Sequence, residues 1–356
     1  MKINFYSPIG YTGYGVAGMN LLRAISSDNE VSLFPIGQMH PESQEDSVVC
    51  LKGFERQEEY DPEAPCIKIW HQFDLATRIG RGKFFAFPFF ELTDLTKKEI
   101  HHLSNADELI VTCQWAKKIL EQNGITKKIH TVPLGVNTQI FDNSMKSSLK
   151  TDDKFIFMNI GKWEVRKGHD LLIDLFNETF NESDNVELWV AASSSELAFT
   201  QQEMDKWHNL YQNCKLKNKI KIFPRLNTQT EIAQLMSYAD CGVFPTHAEG
   251  WNLELLEMMA MNKPVITTNY SAHTEFCTKD NSFLVDIDEL ESANDNKYFN
   301  GFGKWAKIDT KQLDQFKYYM RKVYSDNIRS NPEGLKTAND LSWENAGSKL
   351  IKCISG

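Results

Sequence analysis

Short apolar runs alternate with stretches of helical spacing along the whole chain. In the first half they predict strands over 3–6, 31–35, 67–70, 84–89, 108–112 and 130–133, with helices over 16–26, 96–104 and 114–123. In the second half they predict strands over 155–160, 186–191, 220–223, 241–244, 264–267 and 282–285, with helices over 168–179, 228–238 and 253–261. This alternation reads as α/β, with parallel sheets covered on both faces by helices. A polar stretch over 142–153, rich in Asp, Asn, Ser and Lys, reads as a linker between two Rossmann-like, doubly wound domains, 1–145 and 152–341. Two such domains in series predict a central cleft, with ligands beyond the carboxyl ends of the strands. From Ser342-Trp343-Glu344 onward, 342–356 predicts a short helix that either ends the second domain or crosses back to the first.

Composition narrows what such a pair of domains can meet. The 356 residues suffice for two cores. The formal charge, 39 − 48 = −9, disfavours nucleic acid and anionic membrane surfaces. Seven cysteines without a C-x-x-C pair read as small buried hydrophobes in a reducing compartment. The densest apolar run, Phe84-Phe85-Ala86-Phe87-Pro88-Phe89-Phe90, is too short to cross a membrane and reads as a buried strand closed by its proline. No transmembrane segment and no signal peptide are expected, which suggests a cytoplasmic protein; peripheral membrane contact through an amphipathic face stays open. Oligomeric state is not legible.

Three segments carry chemistry. Gly13-Tyr14-Gly15-Val16-Ala17-Gly18 matches G-x-G-x-x-G between a strand and a helix. The turn from Ser7 to Tyr14 is long for a dinucleotide fingerprint, and the second strand ends in Pro35-Ile36-Gly37 without an acid. The glycines read instead as letting a backbone loop approach a ligand's phosphate, with a purely structural turn as the plainer alternative. Gly161-Lys162-Trp163-Glu164-Val165-Arg166-Lys167-Gly168 places cations Lys162, Arg166 and Lys167 between a strand and a helix N-terminus, which suits a diphosphate. Glu249-Gly250-Trp251-Asn252-Leu253-Glu254-Leu255-Leu256-Glu257 puts one glutamate in a loop and another two turns into a helix, where carboxylates can accept hydrogen bonds from sugar hydroxyls. His71 and Glu91 end first-domain strands and are candidates for the acceptor or the transferred sugar, and His247 is similar. Asp286-Ile287-Asp288 spells a D-x-D but closes a strand away from the expected site, so no catalytic metal is expected.

Over nearly its whole length the chain resembles glycosyltransferase family 4, which has the GT-B fold. The resemblance rests on the E-x7-E element Glu249–Glu257, on Gly161-Lys162…Lys167-Gly168, and on the N-terminal glycine loop. It rests further on Thr131-Val132-Pro133-Leu134-Gly135-Val136-Asn137, Tyr238-Ala239-Asp240 and Ser342-Trp343-Glu344. It implies a retaining, metal-independent hexosyltransferase that needs no cofactor and uses a nucleotide-diphosphate sugar, GDP-mannose ahead of UDP-glucose or UDP-N-acetylglucosamine. A glycan or other hydroxyl compound would be the acceptor. Lys162 and Lys167 would hold the diphosphate and stabilise the leaving group, and Glu249 would bind donor-sugar hydroxyls; His71, placed by its strand-end position rather than by the resemblance, joins these three in the expected catalytic set. The amides of Gly250, Trp251, Asn252 and Leu253 would meet sugar and phosphate, Glu257 the ribose, and Arg225 and Leu226 the base. Gly13 and Gly15 would approach the phosphates from the acceptor domain, where Glu91 lies; Gly161 and Arg166 complete the donor-binding set. Lys162 stands where many relatives have arginine, so the bidentate fork is lost there. Other readings are a GT-B-like phosphorylase or sugar-nucleotide epimerase, an NAD-dependent oxidoreductase, and a non-catalytic sugar-nucleotide sensor.

Overall fold

The computed structural model describes residues 1–145, 153–193 and 200–356, and they form two compact units. Unit 1 comprises Met1–Val136 and Asp340–Gly356. It runs β1 (Lys2–Ser7), α1 (Gly13–Ser26), β2 (Glu30–Pro35), α2 (Gln44–Glu55), β3 (Cys66–Ile69), β4 (Phe84–Phe87), α3 (Lys97–Ser104), β5 (Glu108–Val111), α4 (Gln114–Gln122) and β6 (Lys128–Thr131). The strands form one parallel sheet in the order β2-β1-β3-β4-β5-β6. β3, β4 and β5 are buried at every position, as continuous apolar strands covered on both faces must be.

Unit 2 is Asn137–Asn339. It runs β7 (Phe155–Lys162), α5 (His169–Thr179), β8 (Val186–Ser193), α6 (Gln201–Gln212), β9 (Ile220–Ile222), α7 (Gln229–Tyr238), β10 (Cys241–Phe244), α8 (Leu253–Ala260), β11 (Val265–Asn269), α9 (His273–Phe276) and β12 (Phe283–Asp286). A hairpin, β13 (Leu290–Asn294) with β14 (Asn300–Ala306), then leads to α10 (Thr310–Ser325) and α11 (Pro332–Asp340). Its parallel sheet has the order β12-β11-β10-β7-β8-β9. Phe155, Phe157, Trp163, Leu172, Phe176 and Val243 are central to the core.

The twelve expected strands all fall on observed ones. The linker expected over 142–153 lies mostly outside the described residues; the chain changes unit at Val136/Asn137 and returns at Asn339/Asp340. The last helix, α12 (Trp343–Ile354), packs on α1 in unit 1, with Gly347 where a Cβ would sit 2.7 Å from Ala24 Cβ. The returning chain bridges Val136 to Ser342, and a Cβ on Gly135 would come within 2.4 Å of Ser342 and Trp343 backbone, so that glycine is required.

Each sheet carries a clamped glutamate near its amino end. Glu108 meets Lys83 (2.6 Å), Lys128 (3.5 Å) and His130 (2.5 Å). Glu187 meets Lys154 (2.9 Å) and Lys221 (2.8 Å). Burial opposes both charges, yet the neighbouring donors and cations outweigh it and hold each carboxyl at about 2.

Candidate active site

In an open α/β sheet, ligands collect beyond the carboxyl ends of the strands where the strand order reverses. In unit 2 the order reverses between β7 and β10, so the loops leaving those two strands flank the expected position. They are the cationic loop 161–168 and the loop carrying Glu249.

Hydrogen bonds to the main chain lock these loops together. His247 N donates to Arg166 O at 2.8 Å, and Arg166 Nη1 donates to Ala248 O at 2.7 Å. Gly168 has φ +72°, and a Cβ there would lie 2.0 Å from Pro245 O, so only glycine permits this approach. Gly161 is under no such constraint, since a Cβ on it would make ordinary contact with the Lys167 stem of its own loop at 3.4–3.7 Å.

The charges are mostly buried and paired. Arg166 bridges Glu164 and Glu249, both at 2.8 Å, and Lys167 Nζ lies 2.8 Å from the second Glu249 oxygen and 3.7 Å from Glu254. Burial opposes the charge on Glu249, but Lys167 and Arg166 overcome it and hold the carboxyl at about 2. Burial likewise opposes Lys167, but Glu249 and Glu254 raise it above its ordinary value. Glu249 is therefore a fixed carboxylate, able to accept hydrogen bonds and unsuited to giving up a proton near neutrality.

This changes the expected role of Arg166. Its guanidinium is buried and spans Glu164, Glu249 and the Ala248 carbonyl, so it shapes Glu249 rather than presenting a fork to phosphate. Lys162 is exposed and, among the described residues, makes no ion pair, which leaves its ammonium available to an anion.

After Glu249 the chain enters α8 through Asn252, a non-glycine residue at φ 80°, ψ 76°. Such a conformation costs on the order of 1–3 kcal/mol and persists only where its surroundings enforce it. Asn252 Oδ1 caps the helix by accepting from Leu255 N at 3.3 Å. The Trp251 indole is buried against Phe276 (ring centroids 4.9 Å), so its backbone is the part a ligand could meet. Glu257 is buried on α8. Arg225 is exposed and Leu226 half-buried, in the loop after β9.

His247 donates from Nδ1 to Ala306 O (2.7 Å) and packs on Trp305, which ties the β13–β14 hairpin to the Glu249 loop. The D-x-D acids instead tie β12 to α10. Asp286 N donates to Gln315 (3.1 Å), and Asp288 accepts from Lys311 and from Gln312 (3.1 Å). Among the described residues no cluster of His, Cys, Asp and Glu is arranged to hold a metal.

In unit 1 the strand order reverses between β1 and β3, and aromatic rings gather there. Tyr14 stacks on Phe89 (4.5 Å) and touches His71 (4.6 Å) and Trp70 (5.7 Å), while His71 stacks on Phe73 (5.0 Å). Tyr14 Oη donates to Phe89 O (2.8 Å) and accepts from Phe89 N (2.9 Å). Burial pushes its phenol well up, aided by Glu91, which places Glu91 in this neighbourhood. The glycines divide: Gly13 faces open space, whereas a Cβ on Gly15 would meet Gly10 backbone at 2.6 Å. Gly15 N already donates to Thr12 Oγ1 (3.3 Å). Gly15 is thus a glycine that its own loop's packing requires.

Sequence reasoning passed over Glu164, Ser271, His273 and Tyr14 as individual site residues. Their signal was position, since each lies in a loop or first helical turn just past a strand's carboxyl end.

Residues 140–296 match the family model described as glycosyl transferases group 1. Two uncharacterised glycosyltransferases of Methanocaldococcus jannaschii are similar in sequence. One is 27% identical over 172 residues, 46% of this chain and 40% of the relative. The other is 24% identical over 236 residues, 63% of this chain and 60% of the relative. The chain thus spans about half the length of these curated relatives. Among solved structures, the sucrose-phosphate synthase of Thermosynechococcus elongatus is similar with a TM-score of 0.73 and 14% identity, over 100% of this chain and 98% of that one. Anabaena HepE, solved with UDP and glucose, is similar with a TM-score of 0.70 and 16% identity, over 100% and 99%. With two six-stranded parallel sheets, these likenesses show the GT-B fold.

Proposed function

We propose that this protein is a glycosyltransferase that draws its sugar from a nucleotide-diphosphate donor held on unit 2. The observation that carries the reading is Glu249, a buried carboxylate clamped by Lys167 and Arg166 at the mouth of α8, with exposed Lys162 nearby in sequence to Lys167. A permanently ionised acceptor suits sugar hydroxyls, and cations beside it suit a departing diphosphate. That segment also lies within the match to glycosyl transferases group 1.

Lys162 and Lys167 would stabilise negative charge on the leaving nucleotide, Glu249 would orient the sugar, and the amides of Gly250–Leu253 would complete the donor site. His71 and Glu91, among the unit 1 aromatics, would serve the acceptor, a glycan or other hydroxyl compound. Transfer would be retaining and would need no metal, because Lys162 and Lys167 supply the charge that a cation would otherwise bring. GDP-mannose is the first donor to test. UDP-glucose is the second, favoured by the UDP and glucose named for Anabaena HepE.

Calorimetric titration with GDP-mannose, UDP-glucose, UDP-N-acetylglucosamine and NAD, with a chelator present, tests this reading. Micromolar binding of one nucleotide sugar is expected. Binding of NAD alone would favour an oxidoreductase, and binding of none would overturn the donor site.

A further inference from the structure

The loop that carries Glu249 and Asn252 is held from behind by a segment that the donor reading does not use. Glu249 N donates to Ser271 Oγ at 2.8 Å, and Ala272 N donates to Glu249 O at 3.3 Å. Ser271 itself has φ 52° and is buried. Two residues on, His273 is fully buried, with Nε2 2.9 Å from Asn252 Nδ2. Its Nδ1 lies 3.0 Å from both Thr268 O and Thr267 Oγ1.

These distances fix the direction of every bond. Asn252 Oδ1 accepts from Leu255 N, so Nδ2 is the side facing His273 and must donate. His273 Nε2 must then accept, and Nδ1–H donates to Thr268 O. Burial pushes the ring down to about 4, which agrees with a neutral imidazole. Thr267 Oγ1 in turn donates to Phe244 O at 3.2 Å, so the chain of bonds is anchored on the ends of β10 and β11.

We propose that His273 is a positioning residue: through Asn252 it holds the entry of α8 in its left-handed turn and so aims the Gly250–Leu253 amides at the donor. His273 touches no ligand in this role. The proposal rests on the donor-site reading for its consequence and on the hydrogen-bond geometry alone for its mechanism.

The test is amide hydrogen exchange across 250–255 in the wild-type protein and in His273→Ala, His273→Gln and Asn252→Ala, paired with calorimetry using UDP and GDP as probes. His273→Ala and Asn252→Ala are each expected to speed exchange of this loop at least 10-fold while the β7 and β8 amides keep wild-type rates. They should weaken binding of the nucleoside diphosphate about 10-fold, and the double variant should lose no more than either single. His273→Gln, which can still accept from Asn252, should recover most of both effects. Unchanged loop exchange in both alanine variants would overturn the proposal, as would strictly additive losses. So would a general acceleration of exchange that Gln fails to rescue, because that marks a core residue. If the wild-type binds neither probe, the donor reading fails and loop exchange still decides the role of His273.

Discussion

At the carboxyl end of the first sheet, beside the reversal in strand order, stand Tyr14, Trp70, His71 and Phe89. At the corresponding place in the second sheet stand Glu164, Arg166, Lys167 and Glu249. The amino ends are alike, each with a buried glutamate clamped by two lysines. The architecture therefore leaves chemistry free only where the strands end in loops. Unit 2 uses that freedom for fixed charge, which suits an ionic ligand. Unit 1 uses it for ring faces joined by hydrogen bonds, which suit a largely uncharged one.

The largest expected effects follow from breaking the charged end. Glu249→Ala leaves Arg166 and Lys167 buried without their main counter-ion and should cost about 3–5 kcal/mol of stability. Glu249→Gln removes the same counter-ion but keeps the volume and an acceptor oxygen, so it should lose less stability than alanine while lowering transfer roughly 100- to 1,000-fold. Urea unfolding and turnover, measured on both variants, separate the two losses.

Breaking the aromatic end should do less and do it differently. Tyr14→Phe strips Phe89 N and O of a shared partner, at a cost of about 1–3 kcal/mol. Acceptor KM should rise while donor affinity holds; a donor-affinity loss as large as that of Lys162→Ala would erase the contrast between the ends. Lys162→Ala should weaken donor binding about 10-fold, a loss that shrinks in high salt, with stability within about 0.5 kcal/mol of wild type.

The smallest effects belong to the amino ends. Glu108 and Glu187 have folded-state carboxyls at about 2, below their unfolded value, so the native state releases those protons more readily. Their stabilisation is complete above about pH 4.5 and is lost as pH falls toward 2. Glu108→Gln and Glu187→Gln should each flatten the loss of urea resistance between pH 5 and 3, to similar degrees. A flattening in only one of them would break the likeness of the two amino ends.

The sheets were legible because buried parallel strands are continuous apolar runs that announce themselves locally. What escaped was structure whose apolar face is weak or set by distant partners. Helix α2 leaves Val48, Leu51 and Phe54 exposed, which blurs its pattern. Hairpin β13–β14 is polar and carries Gly301 and Gly303 at positive φ, so it resembles a loop. Within the site, the E-x7-E pair and the cationic loop were visible as segments, but their division of labour was not. Lys162, Arg166 and Lys167 look equivalent in sequence, but Glu249, contributed by a loop 83 residues beyond Arg166, pairs with Arg166 and Lys167 in the interior while Lys162 stays exposed. His273 was invisible for the same reason, since its partner Asn252 lies 21 residues away in a different loop.

The most direct measurement is release of nucleoside diphosphate from GDP-mannose and UDP-glucose, with chelator and a mixed pool of glycan acceptors, by the wild-type protein and by Glu249→Gln. Acceptor-dependent release from one donor, reduced at least 100-fold in the variant, is the expected result. No release from either donor, or equal release by both proteins, would contradict a donor site built around the clamped carboxylate.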